Sequence, residues 1–342
     1  GFRKLKQSGP KPVPVRGIED SYALELFEQY LRTFLEHNTS CDPLARQISH
    51  HFALDAPQDA IRGKRLRPRL VMAAAASYGA RPERTLAACT AIELLHNYSL
   101  VHDDIEDSDQ LRHGRQTLWV KFGLPHGVNA GDAIGALAQL ALAPTAQTHG
   151  AAIAFDMSMD LGRANVRMCE GQALDLALES GLPTNIDVYV AMIEGKTAAL
   201  FGCAAALGAR CAGASEDEVE LCWTIGRNFG LGFQIRDDVF GIWGNTAQTG
   251  KIAAGDLSRR KKTFPVIWAL EHDPVKAGSA IQGAYGNVKA PSQDEVEGLR
   301  AMLEACGSYR AACSAADNYF ESAWKLAQGM EPLSDFVLQN RT

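Results

Sequence analysis

The stretch Ile92–Thr117 reads IELLHNYSLVHDDIEDSDQLRHGRQT, and it joins an apolar helical run to a cluster of acids. Four acids fall within the five residues from Asp103 to Asp107. On an α-helix Asp103 and Asp107 lie one turn apart and face the same way, so their carboxylates converge on one point. Negative charges packed this closely repel one another unless cations neutralise them, and hard oxygen ligands with room left for water suit Mg²⁺ bridged to phosphates. The stretch therefore predicts a metal and an anionic ligand bound together.

A second acidic helix end strengthens this interpretation. The segment Phe233–Asp238 reads FQIRDD and ends another strongly apolar run, and a loop rich in glycine and lysine follows it. A single acidic patch at a helix end is usually a solvated loop. Two such ends, each on a core helix, can face one another across a cavity, and this arrangement favours a binding site between them.

Composition limits the class of protein. The chain has 342 residues, of which 46% are hydrophobic, so it can bury a large core. The net charge of -6 argues against a general nucleic-acid binder. The eight cysteines are scattered without a CxxC pair, which is typical of buried thiols in a reducing compartment and not of disulfides or a zinc site. No N-terminal stretch has the apolar core of a signal peptide, and Ala/Leu-rich runs such as Ala133–Ala143 stop short of the roughly 18 residues of a membrane span, so we predict a soluble cytoplasmic protein.

The apolar pattern predicts an all-α fold. Residues 1–18 carry five cations, three prolines and no acids, and we expect a mobile leader there. Residues 19–342 are expected to form one domain, a bundle of about ten or more helices around a deep central cavity. No alternating run bounded by hairpin turns is visible, and the Gly-rich breaks at 244–255 and 278–286 are expected to be loops. Helical periodicity is found at 19–35, 42–54, 67–78, 83–105, 129–143, 151–178, 185–213, 215–243, 263–272, 293–304 and 308–328.

Basic residues gather before the third predicted helix, where Gly63–Arg69 reads GKRLRPR. A solvated basic turn is the simple alternative. However, the free N–H groups at a helix start also attract anions, so a second anion pocket is the sharper prediction.

Other polar positions suit the same ligand. Arg112 either forms a salt bridge with the neighbouring aspartates or clamps a diphosphate through its guanidinium fork. Lys196 lies in an apolar helix and needs an anion within reach, which is a ligand or else Asp175 or Glu194. The basic segment at 250–263 is expected to be flexible and to act as a lid.

Taken in chain order, GKRLRP, DDIED with Arg112, GQxxD, GKT, FQxxDD and GKxxxGDxxxxK resemble the motifs of the trans-isoprenyl diphosphate synthases, or polyprenyl synthetases. The resemblance covers residues 60–265. It implies the isoprenoid synthase fold, a homodimer, and a prenyltransferase that joins an allylic diphosphate (dimethylallyl, geranyl or farnesyl) to isopentenyl diphosphate, head to tail.

The resemblance also implies roles for individual residues. Asp103, Asp107 and Asp237 would hold three Mg²⁺ ions that bridge the allylic diphosphate. The groups expected to grip this diphosphate are Arg112, Lys196, Thr197, Gln234, Lys251 and Lys261. The isopentenyl diphosphate site would comprise Lys64, Arg67, His96 and His113. Polar support near the metals would come from Gln172, Asp175, Asp238 and Asp256. Catalysis is expected to depend most on Asp103, Asp107, Asp237, Lys196 and Arg112, which stabilise the diphosphate as it leaves, while a dry cavity protects the allylic cation.

Three positions depart from the family's pattern. His113 replaces a second arginine, Gln116 replaces a proline, and Gly241 replaces a third aspartate of the second motif. Because histidine is largely neutral near pH 7, the isopentenyl site is either weaker or protonated only with diphosphate bound.

Product length is expected to depend on residues about one turn before the first acids. Tyr98 beside the small Ser99 resembles synthases that make C15 to C20 products. Geranylgeranyl diphosphate (C20) is our expectation and farnesyl diphosphate (C15) the close alternative, although Tyr98 could instead be core packing.

Two other functions are weaker alternatives. A class I terpene cyclase pairs its first acidic motif with an Asn/Ser/Glu motif and needs no second diphosphate pocket, so Asp237, Asp238, Lys64 and Arg67 speak against it. A non-catalytic helical subunit of a heteromeric synthase would be expected to lose its acids, and here they are intact.

Overall fold

Helices make up most of the computed structural model, which describes residues 18–57, 63–181, 184–244 and 254–341. The all-α prediction is confirmed. The helices are α1 (Ile18–Asn38), α2 (Asp42–His51), α3 (Leu66–Ser77), α4 (Leu86–Glu106), α5 (Leu118–Phe122), α6 (Leu124–Leu140), α7 (Thr145–Thr148), α8 (Ala151–Glu179), α9 (Ile186–Ile193), α10 (Ala199–Cys211), α11 (Glu216–Trp243), α12 (Gly255–Ser258), α13 (Phe264–His272), α14 (Ser279–Gly286), α15 (Gln293–Ala305), α16 (Ser308–Leu326) and α17 (Glu331–Gln339). A 3₁₀ turn covers Pro82–Arg84, and π-helical turns cover Glu194–Ala198 and Pro274–Gly278.

Helix α10 lies at the centre of the bundle, as its uniformly apolar sequence predicts. All but one of its residues are buried, and it packs against α3, α8 and α11. Small residues permit this close packing: a Cβ atom on Gly208 would lie 2.2 Å from the carbonyl oxygen of Val71, and one on Gly226 would lie 2.4 Å from that of Phe201. The segment Ile186–Cys211 is long and apolar enough to span a membrane, but 72% of its most apolar window is buried inside the protein, as in a core helix.

Helix starts follow local capping rules. The long helix α11 begins with a capping box, in which Ser215 and Glu218 bond each other's backbone N–H groups. The helix predicted at 129–143 begins earlier, at Leu124, because Pro125 suits a first helical turn.

Two sequence expectations are wrong. A small hairpin pairs β1 (Leu111–Arg112) with β2 (Arg115–Gln116). Its two-residue turn is His113–Gly114, and both residues have positive φ, of 50° and 76°, as the tight hairpin turns require. The break at 278–286 is helical, because it forms the end of the second π-turn and then α14. Residues 1–17 of the predicted leader lie outside the described residues.

Candidate functional site

The carboxylates of the first acidic motif, at the end of α4, lie in two different environments. Asp104 is 2% exposed and accepts two hydrogen bonds from the Nε atom of Arg112, at 3.0 and 3.1 Å, and one from Nη2, at 2.6 Å. Asp103 forms no side-chain hydrogen bond or ion pair with the described residues. Burial, together with the neighbouring carboxylates of Asp107 and Glu106, raises the pKa of Asp103 to about 6, although Lys196 and Arg112 act in the opposite direction. The motif therefore keeps one acid for the protein's own arginine and leaves another without a fixed cation.

Lys196 lies on the π-turn that follows α9, opposite α8. Its Nζ atom donates to Asp175 at 2.6 Å, so Asp175 supplies the anion that the sequence required. Glu194, the other candidate, instead binds Arg227. Burial alone would lower the pKa of Lys196, but Asp103, Asp175 and Asp107 raise it, which places all three acids within electrostatic range of this ammonium group.

Two glycines explain how the GKT and GQxxD motifs meet. A Cβ atom on Gly171 would lie 2.1 Å from the backbone nitrogen of Lys196, and one on Gly195 would lie 2.6 Å from the carbonyl oxygen of Arg167. The two backbones therefore touch, which only glycine permits. The π-turn, a distortion often found at functional sites, occurs at this crossing.

The second acidic motif also contains one structural acid. Asp238 is buried and accepts hydrogen bonds from the Tyr189 hydroxyl, from the backbone N–H of Phe264 at 2.9 Å and from Gln234 Nε2 at 3.1 Å. Burial raises the pKa of Asp238 to about 7. The Thr197 hydroxyl donates to Gln234 Oε1 at 2.8 Å, so the GKT and FQxxDD motifs are joined directly.

Both acidic motifs converge on the neighbourhood of Asp175. Burial raises the pKa of Tyr189 well above its ordinary value, and the carboxylates of Asp238, Asp237 and Asp175 raise it further. Asp175 accepts a hydrogen bond from Lys196, and on the same helix Gln172 donates to Glu106 of the first acidic motif. Thr197, which follows Lys196, donates to Gln234 of the second motif. The structure thus brings the ends of α4 and α11 to the same region of the bundle.

The donor chemistry of this region fits Mg²⁺ completed by ligand oxygens. Within the described ranges, no three Asp, Glu, His or Cys side chains come close enough to hold an ion by themselves. Mg²⁺ is usually bound through one or two carboxylates together with waters and substrate phosphates. Asp103, Asp107 and Asp237 offer carboxylates of this kind.

The basic segment after α11 lies over the first acidic motif. Lys261 Nζ is 3.8 Å from Asp107 Oδ2, and Arg259 Nη1 is 2.9 Å from Asp109 Oδ1. Gly241 leaves the room that the Asp256 carboxylate occupies, since a Cβ atom there would meet Asp256 Oδ2. Lys251 lies outside the described residues.

A cluster of cationic and imidazole side chains lies where the GKRLRP turn meets α4 and the hairpin. The Arg67 guanidinium lies 4.3 Å from the ring centroid of Phe201, and its buried Nε atom has no hydrogen-bond partner among the described residues. Burial lowers the pKa of His96 well below its ordinary value, and Arg67 and Arg112 lower it further. Burial and Arg112 also lower the pKa of His113, whose ring faces Gly63. Lys64, which precedes Arg65 in the same turn, is exposed.

Tyr98 crosses the space between α4, α6 and α8. Its hydroxyl is 3.8 Å from Cys169 Sγ, and its ring packs edge-on against His102 with centroids 4.9 Å apart. Gly135 gives the ring room, since a Cβ atom there would lie 3.2 Å from Tyr98 Cδ2. Ser99 donates to the backbone oxygen of His96 at 2.7 Å.

Sequence reasoning missed two polar contacts. Tyr189 donates to Asp238 from the otherwise apolar stretch of α9, and a buried hydroxyl in such a stretch, which needs an acceptor, is the signal that could have revealed it. Glu106 accepts a hydrogen bond from Gln172, and no sequence pattern pointed to that pair.

Comparisons with known proteins agree with this geometry. The family model for polyprenyl synthetase matches residues 54–303. The chain is 35% identical to a (2E,6E)-farnesyl diphosphate synthase of Mycobacterium tuberculosis over 97% of its length and 89% of the relative's. It is 34% identical to a geranylgeranyl diphosphate synthase of the same organism over 82% of its length and 81% of the relative's. The crystal structure of the geranylgeranyl pyrophosphate synthetase from Pyrococcus horikoshii superposes with a TM-score of 0.84 at 28% identity, covering 94% of this chain and 98% of that one.

Proposed function

The chain belongs to the polyprenyl synthetase family, and on that premise we propose that it is a Mg²⁺-dependent prenyltransferase that condenses an allylic diphosphate with isopentenyl diphosphate, head to tail. The observation that carries the proposal is that hydrogen bonds link both acidic motifs to the helices that carry Lys196 and Asp175: Lys196 donates to Asp175, Thr197 to Gln234 and Gln172 to Glu106, beside a separate cluster of cations around Arg67. One site thus has the charge to hold a metal-bound diphosphate, and the other has the charge to hold a second diphosphate.

The allylic diphosphate is assigned to the acidic site. Asp103, Asp107 and Asp237 would hold three Mg²⁺ ions, which when bound neutralise the diphosphate and favour its departure. The diphosphate oxygens would be gripped by Arg112, Lys196, Thr197, Gln234, Lys251 and Lys261. Of these, Lys196 has the most direct support, because it is already held within range of three acids by its bond to Asp175.

Isopentenyl diphosphate is assigned to the cluster of Lys64, Arg67, His96 and His113. The unpartnered Nε atom of Arg67 supports this assignment, because a buried donor without a partner is costly until an acceptor arrives. In the reaction the allylic C–O bond breaks and the diphosphate leaves with the electron pair. The isopentenyl double bond attacks the allylic carbon, and a proton is lost to the departing diphosphate.

We assign the product as geranylgeranyl diphosphate, with farnesyl diphosphate as the alternative, on the basis of Tyr98 and Ser99. Relatives of both kinds match the chain with nearly equal identity. Incubation with isopentenyl diphosphate and each allylic diphosphate in turn, followed by chromatographic sizing, tests both reaction and length. Absence of any condensation product would overturn the function, and products longer than C20 would overturn only the assignment of length.

A terpene cyclase is not favoured, because it needs no second diphosphate pocket. Conversion of a single allylic diphosphate to a hydrocarbon in the same incubations, without consumption of isopentenyl diphosphate, would restore it.

We also propose a cytoplasmic homodimer in which residues 19–342 form one domain. Apolar side chains on one face of α8 support the dimer: Phe155 is 66% exposed and Val166 is 59% exposed, and Leu124 and Leu140 of α6 are exposed as well. A second copy would cover these side chains. Sedimentation of Phe155→Glu should show monomers where the parent protein sediments as a dimer, and a monomeric parent protein would refute the assembly.

A further inference from the structure

Arg65 stands in the middle of the GKRLRP turn, where the sequence alone groups it with the cations of an anion pocket. In the structure its guanidinium is already engaged by two carboxylates. Its Nε atom donates to Glu28 Oε1 of α1 at 2.6 Å, and its Nη1 atom donates to Glu93 Oε1 of α4 at 2.6 Å. Only 7% of Arg65 is exposed. The side chain therefore faces the protein's own acids.

The backbone of Arg65 is also unusual. Its φ angle is 51°, in the left-handed region that residues other than glycine rarely adopt. Such a conformation persists only where the surroundings hold it in place, and the two short ion pairs supply that restraint. Arg65 immediately precedes α3. Its left-handed backbone therefore sets the direction of the chain between Lys64, which comes before it, and Arg67, which lies in the first turn of the helix.

Glu93 extends this restraint to the other side of the pocket. Its carboxylate accepts a hydrogen bond from Asn97 Nδ2 at 3.0 Å, and it lies within electrostatic range of Arg67. His96 follows three residues later on the same helix. A continuous set of charge-assisted bonds thus connects α1, the basic turn and the part of α4 that carries His96.

We propose that Glu28, Arg65 and Glu93 form a positioning cluster that fixes Lys64 and Arg67 for isopentenyl diphosphate, and that Arg65 is not itself a diphosphate ligand. This inference rests on the proposed function of the neighbouring pocket. It separates Lys64 and Arg67, which are assigned to the substrate, from Arg65, which holds the turn in shape.

The direction in which KM for isopentenyl diphosphate changes when Glu28 is neutralised distinguishes a positioning role from a purely electrostatic effect. Glu28 is a negative charge near an anion pocket, so its removal should tighten diphosphate binding if charge alone mattered. If Glu28 acts by holding Arg65, its removal should weaken binding. Glu28→Gln should therefore raise KM for isopentenyl diphosphate about tenfold, the effect of losing one hydrogen bond to a charged group. KM for the allylic diphosphate and kcat should change little.

Two further variants complete the test. Glu25→Gln removes the same charge from an exposed position one turn earlier on α1 and should leave all three constants at parent values. Glu28→Asp keeps the charge but shortens the reach to Arg65, so it should also raise KM for isopentenyl diphosphate. Circular dichroism at the assay temperature confirms that each variant is folded. An unchanged or lowered KM in Glu28→Gln and Glu28→Asp would overturn the positioning role, whereas a parent enzyme that forms no product would overturn the proposed function instead.

Discussion

Gly171→Ala tests whether the backbone contact between α8 and the π-turn holds the catalytic lysine in place. The added methyl carbon would lie 2.1 Å from the Lys196 nitrogen and 2.7 Å from the Gly195 carbonyl carbon. Ordinary contacts between nonbonded atoms are about 3.5 to 4.0 Å, so the two backbones must separate by roughly 1.4 Å. Overpacking of this kind costs about 1–3 kcal/mol. In chains somewhat shorter than this one, each kcal/mol of lost stability lowers the melting temperature by about 2–4 °C. We therefore expect the melting temperature of Gly171→Ala to fall by several degrees.

The loss of activity should exceed what the loss of stability explains. Displacing Lys196 by about an ångström should lower kcat by about 10²-fold at temperatures where the variant is fully folded. Gly298→Ala, an exposed position inside α15, is the matched control, because a Cβ atom there meets no atom within 4 Å and the helix lies away from the proposed dimer face. That control should retain parent kcat and gain about 0.5–1 kcal/mol from better helix propensity. Thermal unfolding and steady-state kinetics of both variants give the comparison. Equal behaviour of the two alanine variants would refute the argument that the motif glycines exist for this crossing.

Three further outcomes are expected. Asp103→Asn should lower kcat by at least about 10²-fold, and a chelator should stop turnover of the parent enzyme until Mg²⁺ is restored, as measured by incorporation of labelled isopentenyl diphosphate. Tyr98→Ala should lengthen the product, as sized by chromatography, and an unchanged product would place Tyr98 among core residues. His113→Arg should lower KM for isopentenyl diphosphate most at high pH. Burial lowers the pKa of His113, so the parent side chain is cationic only below that pKa and loses its charge as pH rises. Arginine keeps its charge throughout this range. Parallel KM profiles against pH for parent and variant would contradict this.

The sequence allowed the long helices to be predicted, because they follow from local patterns, whereas short helices such as α5 and α17 were missed. Apolar periodicity located α4, α8 and α11 to within a few residues. What it could not provide depends on partners that are distant in the chain. The sequence could only group Arg65 with the other cations of its turn, because its partners Glu28 and Glu93 are far away in the chain. The π-turn at Glu194–Ala198 likewise arises where two backbones cross. The His113–Gly114 hairpin was missed because two-residue strands carry no periodic signal.

The distribution of charge within the site indicates which acids remain for a metal. Asp104 is neutralised by Arg112 and Asp175 by Lys196, so each fixed cation already has an acid of its own. Asp103 is left without an ion pair among the described residues, in surroundings where burial and its neighbours disfavour the ionised form. On the proposed function, a cation that arrives with a diphosphate would remove this penalty, whereas diphosphate alone would add to it. The fold would then couple the binding of the anion to that of the metal, because its own cations pair with Asp104 and Asp175 and leave Asp103 without an ion pair among the described residues.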